Sequence, residues 1–223
     1  QSFHENGAIA TKAFYSYGEK QGTETFWHPN AKKAWEISWI KGELHGPFLQ
    51  WAKNGNILVK GSYFMGVPEG LWAWRNEEKE LLRKTTFKSG TGVLYELTID
   101  DPTSEEKEYY IREEKPLREG KRHGTTITYY PAGNVHSEYR YEDDKKEGNF
   151  KEWHEDGRLK KEGTLHKNKP TGKIREYYTA TSEAPSAPPL LSKEIVYTDK
   201  EGSAIVTEFS REGEKKLVMS LKN

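Results

Sequence analysis

Glycines recur in pairs four residues apart, and the pairs themselves recur every 24 residues: Gly18 and Gly22, Gly42 and Gly46, Gly66 and Gly70. The pattern resumes with Gly120 and Gly124, Asp144 and Gly148, and Asn168 and Gly172. Gly, Asn and Asp tolerate φ > 0 most readily, so these positions specify six copies of a turn that needs a left-handed residue. A second mark follows eight to nine residues after the second glycine, as Asn30-Ala31, Asn54-Gly55, Ala132-Gly133 and Asp156-Gly157. Asn-Gly and Asp-Gly between apolar runs predict hairpins closed by type I′ turns, with φ > 0 at both central residues. Each unit is therefore expected to be a β-hairpin joined to the next by a Gly-x-x-x-Gly turn. Short β-branched or aromatic runs at this spacing argue against helix pairs.

Large side chains keep the same register. Two residues past the second glycine stand Phe48, Trp72, Phe150 and Ile174; five past it stand Trp27, Trp51, Tyr129, Trp153 and Tyr177, with Arg75 the exception beside Trp74. Seventeen past it come Trp39, Tyr63, Phe87, Tyr141 and Leu165. Equivalent positions in stacked hairpins form ladders across neighbouring strands. Positions two and five differ in parity, so a flat strand sends them to opposite faces; either a bulge realigns them or both faces carry aromatics. A lone hairpin is marginal in water, whereas stacked neighbours share their faces. The expected fold is all-β, an elongated twisted antiparallel sheet of about eight hairpins.

The ruler fails twice. From Gly90 to Gly120 the spacing is 30 and the second glycine moves to Gly92, around strand-like GVLYELTI and EYYIRE and the polar turn DDPTSEEK. After Tyr178 comes the Pro/Ala/Ser-rich TATSEAPSAPPLL. The organisation expected is a leading strand or half-repeat over 1–17, hairpin repeats over 18–178 with an irregular unit at 90–119, an insertion at 179–192, and a returning strand with a capping hairpin over 193–223.

Composition narrows the function classes. Hydrophobic residues make up only 33%, but 28 aromatics are too many for a disordered chain. Thirty-five Lys and Arg balance 35 Asp and Glu, which gives no overall electrostatic drive toward nucleic acid. Cysteine is absent, so disulfides and thiolate metal sites are excluded. No apolar run approaches the ~18 residues of a transmembrane helix. The sequence starts at Gln1 without a methionine, consistent with a trimmed form, and an exported location, periplasmic or surface and lipid-anchored through a removed leader, is favoured over a cytoplasmic one.

The runs GELHGPFLQWAKNGNILVKGSYFMG, GKRHGTTITYYPAGNVHSEYRYEDD and KKEGNFKEWHEDGRLKKEGTLHKNK resemble the MORN-repeat variant family, which includes bacterial YwqK-type antitoxin-like proteins. The more familiar MORN repeat has a glycine two residues after His-Gly, where Phe48 and Thr126 stand here, so membrane binding is not carried over. The resemblance implies a sheet of stacked hairpins with a binding or scaffold role, often in bacterial proteins that are exported or neutralise a partner toxin.

The residues themselves suggest little chemistry. His45 and His123 precede the second glycine as Glu69, Glu147 and Thr171 do elsewhere, which makes them polar turn residues. His28 and His154 follow Trp27 and Trp153 in equivalent strand positions, and no His-x-x-x-His spacing occurs. The carboxylate runs EEKE (105–108), EDDKKE (142–147) and HEDG (154–157) read as solvated turns rather than an acid/base pair. Catalytic residues, cofactors and metals are expected to be none. The candidate binding residues are the aromatics Trp27, Trp51, Trp72, Trp74, Tyr129, Trp153 and Tyr177, whose bland role is core packing and whose functional role is a recognition stripe. A protein partner is the leading expectation and a glycan stacked on the stripe the alternative.

Overall fold

In the computed structural model of the chain, residues 1–99, 108–179, 189–198 and 203–221 are described, and every regular element among them is a β-strand. The polar turn 100–107 and residues 180–188 of the expected insertion lie outside the described residues. The chain divides into two compact units, Gln1–Ile111 with Pro116–Lys121, and Arg112–Lys115 with Arg122–Asn223.

The first unit holds β1 (Ser2–Phe3), β2 (Ile9–Lys12), β3 (Tyr15–Ser16), β4 (Glu19–Lys20), β5 (Gly22–Trp27), β6 (Lys33–Ile40), β7 (Glu43–Trp51), β8 (Ile57–Phe64), β9 (Val67–Arg75), β10 (Leu81–Phe87) and β11 (Gly92–Ile99). Its main sheet runs β1-β2-β5-β6-β7-β8-β9-β10, and β3 pairs with β4. β12 (Tyr109–Arg118) contributes to both units and is followed by β13 (Lys121–Arg122). The second unit continues with β14 (Gly124–Tyr129), β15 (Val135–Glu142), β16 (Lys145–Trp153), β17 (Leu159–His166), β18 (Lys169–Tyr177), β19 (Leu191–Tyr197), β20 (Ala204–Phe209) and β21 (Lys215–Leu221), paired in that order. β7, β8 and β9, and likewise β14 to β18, pair antiparallel with their neighbours in sequence, as the short connections require.

The predicted left-handed positions are left-handed. The twelve residues from Gly18 to Gly172 have φ between +62° and +106°. The type I′ turn, however, is at the other end of the hairpin from where Asn-Gly predicts it. Tyr17, Lys41, Met65, Glu119, Asp143 and Lys167 also have positive φ, between +46° and +52°, so each pairs with the Gly, Asp or Asn that follows it to make the two-residue turn. At the Asn-Gly end only one residue of the pair is left-handed, such as Gly55 at +94°. There the N–H of Gly55 donates to the Ala52 carbonyl at 2.9 Å and that of Ala52 to Asn56 at 2.9 Å. This is a three-residue loop of type I turn followed by a left-handed residue, with a bulge. Leu58 is the extra residue, skipped between the pairs Gln50↔Val59 and Trp51↔Ile57.

The bulge settles the parity question. It lies on the returning strand, while β7 pairs one-for-one from Gly46 to Gln50. Phe48 and Trp51 therefore keep opposite parity, and both faces carry aromatics. Gly92 does not replace a second glycine, because its φ is not positive; a Cβ there would stand 2.7 Å from the Phe87 ring.

The first unit's core is Ala52, Leu58, Val59, Trp72, Trp74, Phe87 and Ile111, with Phe48, Tyr63 and Tyr95 packed on it. Trp72 stacks on Phe48 (5.3 Å) and Trp74 (5.8 Å) and meets Tyr63 and Phe87 edge-on. Its Nε1–H donates to the Ser62 carbonyl at 3.1 Å. Such ring pairs add about 0.5–1.5 kcal/mol each beyond area burial. In the second unit Phe150, Ile174, Ala204 and Val206 are buried, and Tyr139 stacks on Phe150 at 5.0 Å.

Candidate functional site

The structure separates the seven candidate aromatics into two groups. Trp72 and Trp74 are 2% and 1% exposed, which corrects their place in a recognition stripe. They sit two and four residues past the second glycine, on the face that other rings cover, and no ligand reaches them. Trp27 and Trp51 in the first unit, and Tyr129, Trp153 and Tyr177 in the second, are half-buried. These five occupy one register position, at the bulge that ends each outgoing strand.

That position is fixed from the repeat before it. In three repeats the residue opening the three-residue loop reaches forward to the backbone carbonyl of the next repeat's bulge aromatic. His4 Nε2 donates to the Trp27 carbonyl at 2.8 Å, His28 Nε2 to Trp51 at 3.0 Å, and the Tyr130 hydroxyl to Trp153 at 2.8 Å. A second rung runs beside it, from Asn6 Nδ2 to the Pro29 carbonyl and from Asn30 Nδ2 to Lys53. His28 and His154 are therefore loop residues rather than strand residues. His154 Nε2 is buried with no hydrogen-bond partner.

The opposite sheet edge is stitched in the same way. Gly42 N–H donates to the Lys20 carbonyl, Gly66 to Leu44 and Asn168 to Lys146, at 2.9–3.0 Å. The residue before the second glycine supplies the other half of the stitch. Gln21 Oε1 accepts from Lys41 N–H, His45 Nδ1 from Met65 at 3.5 Å, Glu69 Oε2 from Ser89 at 2.7 Å, and Glu147 Oε2 from Lys167 at 2.9 Å. The polar preference at that position thus has a cause: an acceptor is needed for the first N–H of the next turn. His123 is the variation. Its Nδ1 is buried without a hydrogen bond, and Asp143 Oδ1 stands 3.6 Å away, too far for one.

Electrostatics around the aromatics are local. Lys33 Nζ lies 5.6 Å from the Trp51 ring centre. The Tyr177 hydroxyl donates to Glu162 Oε1 at 2.7 Å; burial first, and then this bond, push its pKa up to about 12. Glu24 stands at the register position of Phe48 and Trp72 and is buried; Lys20 Nζ at 2.8 Å and Trp39 Nε1 at 3.0 Å satisfy it, which makes burial of the charge tolerable. Among the described residues no group of three or more His, Asp or Glu is placed to hold a metal ion. No helix among them is long and apolar enough to cross a membrane.

Two hollows escaped the sequence reading. One, of about 560 Å³, is lined by Phe64, Met65, Val67, Glu69, Ser89 and Glu119 in the first unit. The other, of about 240 Å³, lies over Gly163 in the second, between Lys151, Lys173 and Arg175. The irregular spacing from Gly90 to Gly120 was the one signal for the first. Nothing in the sequence marked the second.

A search of curated proteins finds no match. The family model for the MORN repeat variant matches residues 122–143 and 146–168. Those segments hold Gly124 and Gly148, the Lys167-Asn168 turn and the loops at Gly133 and Gly157, and the first of them ends at Asp143. The same turn geometry recurs at Gly42, Gly46 and Gly55 outside the matched segments. This chain is therefore an all-β repeat protein that carries MORN repeat variants.

Proposed function

We propose that this protein is a non-enzymatic interaction module whose partner is another protein, bound as an antitoxin or immunity protein binds its target. MORN repeats are generally associated with protein- or membrane-binding roles. The observation that carries the reading is the row of half-buried aromatics at the bulges, Trp27 and Trp51 in one unit and Tyr129, Trp153 and Tyr177 in the other. Each is backed by rigid sheet and still presents ring surface to solvent. Large rings held rigidly at a surface supply contact area at low entropic cost, which is what interface anchors do.

The test is capture of a partner from native lysate by the tagged protein, repeated with Trp27→Ala/Trp51→Ala. A protein captured by the natural chain and lost in the variant, with the circular dichroism spectrum unchanged, supports the reading. The alternative is an exported or surface lipoprotein that stacks a glycan on the same row. It predicts instead a glycan-array signal abolished by the same variant. If capture is unchanged when both rings are removed, the row is packing and the reading fails.

A further inference from the structure

We infer that the 560 Å³ hollow beside the Met65-Gly66 turn binds a guanidinium group, the side chain of an arginine offered by a protein partner. The inference rests on the reading that the partner is a protein, but it uses residues separate from the aromatic row.

The hollow combines an apolar wall with acid. Phe64 and Met65 are 54% and 63% exposed, unusual for large apolar side chains flanking a turn, and Val67 continues their surface. Glu69, Ser89 and Glu119 supply the polar side. Glu69 gives Oε2 to the Ser89 N–H, and among the described residues its Oε1 has no partner. Glu119 is tied down by its own backbone N–H, which donates to Thr91 Oγ1 at 3.2 Å. Its carboxylate, too, has no hydrogen-bond or ion-pair partner among the described residues.

The second unit shows what this frame does with a donor. Glu147 holds the register position of Glu69 and makes the same bond to the next turn, and its other oxygen accepts from His166 Nδ1 at 2.9 Å. There the chain completes the site itself. At Glu69 the position of His166 is held by Lys88, which makes no ion pair with it. An outside cation fits the oxygen left over.

Two turns pack closely beside the hollow. Gly90 N–H donates to the Pro68 carbonyl and Gly120 N–H to the Gly90 carbonyl. A Cβ on Gly90 would stand 2.5 Å from the Gly120 nitrogen, and one on Gly120 would stand 2.5 Å from Val67 Cγ1. A pre-formed wall lowers the cost of binding. Arginine suits it better than lysine: its planar head stacks on a ring such as Phe64 and forks onto carboxylates, and its stem lies along Met65 and Val67.

The sequence offers a direct readout, because its two methionines are Met65 in the hollow and Met219 in the second unit. With methyl-¹³C methionine, titration with N-acetyl-arginine amide should shift the Met65 methyl signal saturably, with Kd on the order of 1 mM, and leave Met219 unmoved. N-acetyl-citrulline amide, the neutral isostere, should bind at least about fivefold more weakly. Glu119→Gln should weaken the arginine probe about three- to tenfold without affecting the citrulline probe, and about 0.5 M NaCl should do the same. An unmoved Met65 at about 20 mM probe overturns the inference, as do equal shifts with both probes or a Glu119→Gln variant that binds arginine as before. The probe contains no partner, so its failure leaves the capture experiment standing, and a failed capture leaves the probe result standing.

Discussion

Trp72 in the first unit and Ile174 in the second hold the same register position, two residues past the second glycine, and each lies over a glycine of the preceding strand. A Cβ on Gly61 would stand 2.1 Å from the Trp72 ring, and one on Gly163 would stand 2.2 Å from Ile174 Cδ1. The turns around them are the same and the filling is not. Trp72 meets four other rings, whereas no ring pair is formed by Ile174, whose neighbour Phe150 stacks instead on Tyr139. Turn geometry in this repeat is thus independent of what fills the core. A glycine fifteen residues past the second one is the device that lets a large side chain lie flat on the sheet.

The largest expected effect breaks the filling directly. Trp72→Ala should cost about 3–5 kcal/mol, and Ile174→Ala should cost about 2 kcal/mol, at the low end of its class. Chemical denaturation followed by tryptophan fluorescence reads the first unit, which holds six of the seven tryptophans, and far-ultraviolet circular dichroism reads both. Equal costs would mean that the ring stack adds nothing beyond buried area.

Next comes the glycine beneath. Gly61→Ala should destabilise by about 3 kcal/mol, because a ring locked among other rings cannot shift. Gly163→Ala should cost about 1 kcal/mol, because the terminal methyl of Ile174 can rotate away. If the two variants lose the same stability, the rigidity assigned to the Trp72 stack is wrong.

A smaller contrast tests the loop ladder. His28→Ala removes the bond to the Trp51 carbonyl and should cost about 1 kcal/mol. His154→Ala removes a buried nitrogen that has no partner and should be neutral or slightly stabilising. Thermal melts of the two variants side by side suffice to check it.

The smallest effect is a pH dependence in the second unit. The folded pKa of Tyr177, at about 12, lies above its ordinary value of 10.0. The neutral phenol is therefore favoured by folding, and its contribution is complete below pH 10 and lost as pH rises from 10 to 12. Stability should fall across that window, and less steeply in Tyr177→Phe. An identical slope in the variant would remove Tyr177 from the account.

Much of the fold was legible because backbone chirality writes itself into residue choice. Gly, Asn and Asp recurring in register, 24 residues apart except across 90–120, could mean only left-handed turns, and all of them are left-handed. The turn types were misassigned for an equally physical reason. Asn54-Gly55 is a strong type I′ signal in isolation, but a type I turn with a left-handed glycine also suits it and carries the bulge at Leu58. Met65-Gly66 makes the type I′ turn although Met has no preference for φ = +48°, because the strands on either side and the stitch to Leu44 impose it. In the candidate site, the register of Trp27, Trp51, Tyr129, Trp153 and Tyr177 was readable, and the burial of Trp72 and Trp74 was not. Burial depends on which rings lie across the sheet, and periodicity carries no information about that.

By itself, then, the sequence determined the period, the left-handed positions and the hairpin order, because these follow from local sterics that each residue carries with it. Only the tertiary structure decided which aromatics became core and which stayed at the surface, and that a hollow lies between Phe64 and Glu119. Those outcomes depend on contacts between side chains far apart in the chain, where packing rather than local preference selects the arrangement.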